Sequence, residues 1–112
     1  MPEQQNIEYK SSWHDDYLKW ICGFANAQGG RIYIGKDDNG NVVGVENHKA
    51  LMDEIPNKIK NLMGITTEVN LLQENDKYYI AIIVTPYSVA ISLRGRYYSV
   101  AEVSSKNLQA WL

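Results

Sequence analysis

The sequence of 112 residues has one cysteine, two histidines and no excess of basic charge. A lone Cys22 excludes an internal disulfide. Its place beside Ile21 and Phe24 in a helical pattern points to a small buried side chain in a reducing, cytoplasmic setting. His14 and His48 stand apart without ligand spacing, which argues against zinc. With 11 basic and 13 acidic residues the net charge is -2, which argues against a strongly basic surface, so any contact with nucleic acid must rest on a local patch. No apolar run is long enough to cross a bilayer and no leader pattern opens the chain, so a soluble protein without a membrane partner is expected. Internal repeats and low-complexity tracts are also missing. What is present is a 45% hydrophobic composition, enough for one core in a single domain over residues 1–112.

The most informative stretch is residues 24–44, FANAQGGRIYIGKDDNGNVVG. Gly29-Gly30 follows a helical pattern and marks its end, where the backbone reaches positive φ. Alternation then begins at Arg31, and Asn39-Gly40 predicts a type I′ hairpin turn returning through residues 41–45. Before it, residues 6–10 alternate, with Ile7 and Tyr9 on one face and Glu8 and Lys10 on the other. Ser12, three residues before Asp15, resembles an N-cap for a first helix whose Tyr17, Trp20, Ile21, Phe24 and Ala25 pack on a sheet while Lys19 faces out. The Gly-Gly pair follows a helix and precedes a strand, the reverse of a phosphate-binding loop.

Downstream, Leu51, Ile55, Ile59 and Leu62 predict a second helix over 48–63, with Gly64 as its stop. Pro56 inside it implies a kink, or a start close to that residue. Residues 66–72 and 77–85 read as strands around the polar turn 73–76, and 80–84 is apolar enough for a central strand. A last hairpin is expected about Arg94-Gly95. The fold class that follows is α+β, a mixed sheet with two main helices packed on it.

The run from Glu3 to Lys10, then Phe24 to Gly30, Ile34-Gly35, Asp37 to Gly40 and Arg94 to Tyr98, resembles the Schlafen AlbA-type domain. That resemblance implies the N-terminal part of a bacterial transcriptional regulator, described as a candidate DNA-binding domain, with DNA favoured over RNA as partner. In animal Schlafen proteins it implies instead a metal-dependent endoribonuclease, whose three carboxylates correspond to Glu3, Glu8 and Asp38 here. In that case these three would hold Mg²⁺ or Mn²⁺, which polarises a phosphate oxygen, and Lys10 would neutralise developing charge. Without the nuclease reading no cofactor is expected. The same residues also read blandly: Glu3 as a terminal residue, Glu8 and Lys10 as a solvated strand face, Asp37-Asp38 as turn formers.

For binding, Lys10, Arg31, Lys36, Arg94 and Arg96, with Tyr33, Tyr97 and Tyr98, are the candidates for a basic and aromatic face. They read equally as solubilising strand-edge residues. Residues 99–112 depart from the family's usual continuation, and a shifted reading frame of suitable codons restores a family-like RSGSVIKELTGM. A frameshift near Tyr98 that truncated a longer regulator is therefore expected. A tail of that origin would be disordered, improvised or stabilised by a neighbouring chain. A third reading makes the chain an interaction module that pairs with a second copy as a homodimer through an exposed strand edge.

Overall fold

The computed structural model describes residues 6–109, with side chains described through Ser104. β1 (Ile7–Lys10), a short 3₁₀ turn (Asp15–Tyr17) and α1 (Leu18–Ala25) lead to β2 (Gly30–Ile34). Next come α2 (His48–Met63), β3 (Glu68–Glu74) and β4 (Lys77–Val84), then β5 (Ser92–Leu93), β6 (Arg96–Tyr97) and α3 (Val100–Gln109). The main sheet has the order β1-β2-β4-β3, with β1 parallel to β2 and the other pairs antiparallel. This is the expected mixed sheet with helices packed on it, and the apolar β4 is central as predicted.

Strand register divides the sheet into two faces, because successive side chains alternate. Ile32 and Ile34 of β2 share one face with Ile80, Ile82 and Val84 of β4, and all five are buried in one cluster with Leu18, Ile21, Phe24, Leu51, Ile55 and Ile59 of the helices. The other face carries Ile7 and Tyr9 of β1, Arg31 and Tyr33 of β2, and Tyr79, Ala81 and Ile83 of β4. α1 and α2 pack on the first face, while α3 and the β5-β6 hairpin pack on α1. Among the described residues, the second face therefore carries no helix.

Several local expectations are corrected. Ser12 does not cap α1. The helix is entered through the 3₁₀ turn, neither His14 nor Tyr17 caps with its side chain, and the Ser12 hydroxyl lies 3.5 Å from His14 Nε2. α1 does not bury a single stripe, because the hairpin and α3 cover its other side, and every one of its residues except Lys19 is buried. α2 begins at His48 and continues through Pro56, so the start near Pro56 is ruled out. Packing of Leu51, Ile55 and Ile59 outweighs the hydrogen bond that proline omits.

The turn after β2 also differs. Asn39 does not take positive φ, so Asn39-Gly40 is not a type I′ pair. Asp37 controls this turn: its carboxylate accepts the N–H groups of Asn39 and Asn41, and its carbonyl accepts that of Gly40. The return segment does not form a strand: it has an isolated bridge between Lys36 and Val42, with the Asp37 N–H donating to the Asn41 carbonyl and the Val43 N–H to the Gly35 carbonyl. Left-handed pairs fall instead at Asn75-Asp76, between β3 and β4, and at Arg94-Gly95, between β5 and β6.

The Gly29-Gly30 stop is as expected, but the two glycines serve different needs. Gly29 has φ 83° and returns its N–H to the Phe24 carbonyl, as a helix end requires. A Cβ on Gly30 would stand 2.7 Å from the Phe24 ring and 2.8 Å from the Asn6 carbonyl. Gly30 is thus the space that lets α1 lie against the parallel β1-β2 pair.

Candidate nucleic-acid interface

The residues predicted for one basic and aromatic face occupy separate places. Glu8 and Lys10 lie on the helix side of β1, not on a freely solvated face. Lys10 Nζ is 3.2 Å from the Glu8 carboxylate and 4.7 Å from the centre of the Tyr17 ring, with the Trp20 ring at 6.0 Å. Both side chains are at least three-quarters covered, at 20% and 25% exposure. The ammonium is held by its own strand neighbour and by the rings of the 3₁₀ turn and of α1.

Arg94, Arg96 and Tyr98 line a cavity of about 290 Å³ with Asp15, Asp16 and Lys19. Its charge is mixed. Arg96 pairs with Glu102 at 2.9 Å, Lys58 with Asp15 at 2.9 Å and Lys19 with Asp16 at 2.7 Å. The Lys58 hydrogen bond, helped by the Trp13 indole, holds the Asp15 carboxyl below its ordinary value, and Arg94 adds a small share. The Asp16 hydrogen bond raises Lys19 in turn. Tyr98, expected as a stacking residue, is only 8% exposed and belongs to the core, with Lys19 and Arg96 against its ring. Tyr97 is exposed.

The third group lies on the helix-free face. Tyr9 on β1 stacks with Tyr33 on β2, ring centres 5.8 Å apart at 29°. Tyr33 continues to Tyr79 on β4 at 6.4 Å. This diagonal step arises because the direct partner of Tyr33 is Ala81. Lys36, just past the end of β2, sets its ammonium 4.2 Å from the Tyr33 ring centre, 4.9 Å from Tyr79 and 5.8 Å from Tyr9. Arg31, two residues before Tyr33, is exposed and donates to the Tyr33 hydroxyl at 3.5 Å. Neither Lys36 nor Arg31 has a carboxylate within ion-pair distance among the described residues. Asp37, close by in sequence, has its carboxylate turned to backbone N–H groups; the one from Asn41 does most to keep it below its ordinary value. Tyr9 and Tyr79 were not singled out from the sequence. Their signal is the alternation that places them on the same face as Tyr33, visible only once the register is known.

Of the acids implied for metal binding, Glu3 lies outside the described residues. Glu8 is engaged by Lys10, and Asp38 is exposed on the turn that Asp37 organises. Among the described residues no three His, Cys, Asp or Glu side chains are grouped to hold a metal ion. The described ligand set is thus incomplete for a shared metal.

Asn26, read from the sequence only as part of a helix end, organises the C-terminal segment. Its amide accepts the Ile91 N–H at 2.6 Å and donates to the carbonyls of Ile91 at 2.9 Å and Tyr98 at 3.0 Å. α3 then starts with Ser99 Oγ accepting the Glu102 N–H, the first half of the Ser-x-x-Glu signature visible at 99–102. Val103 is buried, and the start of α3 lies so close to Gly23 that a Cβ there would meet Val100 N at 3.1 Å. The described part of the expected atypical tail is therefore helical and packed. No helix among the described residues is long and apolar enough to cross a membrane.

No curated protein matches the sequence. Among solved structures, the fold is similar to the DIP2311 protein of Corynebacterium diphtheriae, with TM-score 0.66 and 16% identity, covering 84% of this chain and 20% of that one. It is also similar to the N-terminal domain of a protein from Nitrosomonas europaea described as related to the ATP-dependent DNA helicase RecG. There the TM-score is 0.62 at 19% identity, covering 89% of this chain and 81% of that one. The chain thus spans only a small part of the Corynebacterium protein, and at these identities the likeness is one of fold. The sequence itself matches the family described as Schlafen, AlbA_2 over residues 3–107. With that match spanning nearly its whole length, the chain belongs to the Schlafen AlbA_2 family.

Proposed function

We propose that this domain binds nucleic acid through the helix-free face of its sheet, as the DNA-binding part of a transcriptional regulator. The observation that carries the reading is Lys36 above Tyr9, Tyr33 and Tyr79, with Arg31 beside Tyr33 and, among the described residues, no carboxylate paired to either cation. A phosphate backbone needs unpaired positive charge, and a domain of net charge -2 must concentrate it locally. The arginines of the C-terminal hairpin are less suited, because Glu102, Asp15 and Asp16 already share their surroundings. Family membership and the DNA-helicase relationship of the Nitrosomonas protein support the same reading.

The test is fluorescence anisotropy with labelled duplex DNA and structured RNA at low and moderate salt. Wild type is expected to bind DNA in a salt-sensitive way. Lys36→Gln with Arg31→Gln should weaken binding and lower the salt slope by about two, while Arg94→Gln changes little. Binding that ignores the first pair and depends on Arg94 would overturn the assignment of the face. Metal-dependent RNA cleavage lost in Glu8→Gln and Asp38→Asn would replace the binding role with the ribonuclease one.

A further inference from the structure

We infer that the ligand of the helix-free face is a single strand whose unpaired bases stack on the Tyr9, Tyr33 and Tyr79 rings, and that Lys36 covers those rings until a base takes its place. The inference rests on the nucleic-acid reading above and names its substrate class. Three aromatic rings from three adjacent strands form a diagonal row with steps of 5.8 and 6.4 Å. Such a row offers π-faces, and a duplex has none to return, since its bases are stacked on one another and present only edges and phosphates. A strand with splayed bases does, and a sheet bearing aromatic side chains is suited to about two or three of them.

Among the described residues no helix covers the three rings, which are half-buried against one another and against the 37–41 turn. The residue opposite Tyr33 is Ala81, not a bulky side chain, and both main helices are committed to the opposite side of the sheet. Charge complementarity favours a polyanion over a second copy of this chain: Lys36 and Arg31 have no carboxylate within ion-pair distance among the described residues, and two such cation pairs would repel. Of the carboxylates nearest in sequence or register, Asp37 is engaged with the N–H groups of its turn and Glu68 with the Asn70 amide, while Asp38 and Glu74 are exposed and point no oxygen at either cation within ion-pair distance.

Lys36 has the reach for a double role. Its ammonium rests over all three rings on a flexible stem. An exposed cation–π contact is weaker than base–aromatic stacking, so a base displaces the ammonium, which then meets the phosphate beside that base. The ring surface is covered by the same group that afterwards neutralises the ligand.

The experiment compares a labelled, unstructured single strand of about ten nucleotides with a duplex of the same sequence. It uses wild type, Tyr33→Leu, Tyr33→Phe and Lys36→Gln, each first shown to be folded by its thermal midpoint. The expected result is single-strand binding at least about tenfold tighter than duplex binding. Tyr33→Leu should lose about tenfold on the single strand and nothing on the duplex, with Tyr33→Phe retaining affinity. Lys36→Gln should lower the salt slope for both. Should Tyr33→Leu fail to fold, Tyr79→Leu takes its place, with the same loss expected. Equal affinity for both ligands, or a folded leucine variant with unchanged single-strand affinity, overturns base stacking. If duplex binding then still responds to Lys36→Gln, the nucleic-acid reading survives alone; if neither ligand binds, both readings fall.

Discussion

Asn26 and Ile91 are joined by two hydrogen bonds, the Asn26 amide oxygen accepting the Ile91 N–H at 2.6 Å and its nitrogen donating to the Ile91 carbonyl at 2.9 Å. A side-chain amide here takes the part of a neighbouring strand. It satisfies both backbone groups of a residue that is itself only 7% exposed, and its third bond, to the Tyr98 carbonyl, ties the C-terminal hairpin to α1. Asn26→Ala leaves the Ile91 N–H without its partner and the Ile91 carbonyl with only the weak Cys22 thiol donor, and buried unsatisfied polar atoms are costly. Destabilisation of about 2–4 kcal/mol is expected in urea denaturation. A change under about 0.5 kcal/mol would show that water replaces the amide.

The two glycine environments separate space from conformation. Gly30 has no room, with the Phe24 ring at 2.7 Å from a would-be Cβ, so Gly30→Ala should cost about 1–3 kcal/mol by overpacking. Gly64, at the end of α2, has φ 72° and open space around it. There Gly64→Asn should be nearly neutral, since asparagine tolerates the left-handed helix end. Thermal melts of both variants check the contrast; equal losses would contradict it.

Stability should fall at low pH through two aspartates. Asp15, held by Lys58, and Asp37, held by the Asn41 N–H, both have carboxyl pKa values below the ordinary 3.8. Groups depressed in the folded state contribute fully above their unfolded value and lose that contribution as the pH falls through the folded one. Urea midpoints should therefore hold steady above about pH 4 and drop below it, with a shallower drop in Asp37→Asn. An unchanged drop in that variant would remove Asp37 from the account. Asp15 is exposed and Asp37 half-buried at a surface turn, so solvent screening keeps the effect small.

Cys22 is fully buried, donates to the Ile91 carbonyl at 3.2 Å, and burial raises its thiol pKa. A protonated, covered thiol reacts only on opening. Its labelling by an aromatic disulfide should follow unfolding, rising with urea. Reaction at the rate of a free thiol under native conditions would contradict the packing of α1 under the hairpin.

Much of the fold was legible in the sequence. The central β4, the helix over 48–63 and the hairpin about Arg94-Gly95 appear where periodicity and turn residues placed them. The failures have a common cause, local chemistry overridden by a partner that sequence pattern does not display. Asn39-Gly40 has the composition of a type I′ turn, but the Asp37 carboxylate gathers the nearby N–H groups and sets another geometry. Ser12 has the composition of a cap, yet the capping serine with a hydrogen bond is Ser99. The candidate site was legible only in pieces. Arg31, Tyr33 and Lys36 were named with Arg94, Arg96 and Tyr98, which lie with α1 and the C-terminal hairpin, in a mixed-charge cavity.

By itself the sequence determined the elements, their apolar faces, the modest net charge and the family, because periodicity, turn chemistry and motif are properties of neighbouring residues. The tertiary structure decided which aromatic and basic residues meet. Tyr9, Tyr33 and Tyr79 lie far apart in the chain, and only the pairing of β1 with β2 and of β2 with β4 puts their rings in one row under Lys36. A one-residue change in that register would turn every side chain of a strand to the opposite face. The proposed binding surface is therefore a property of strand pairing, which no local pattern encodes.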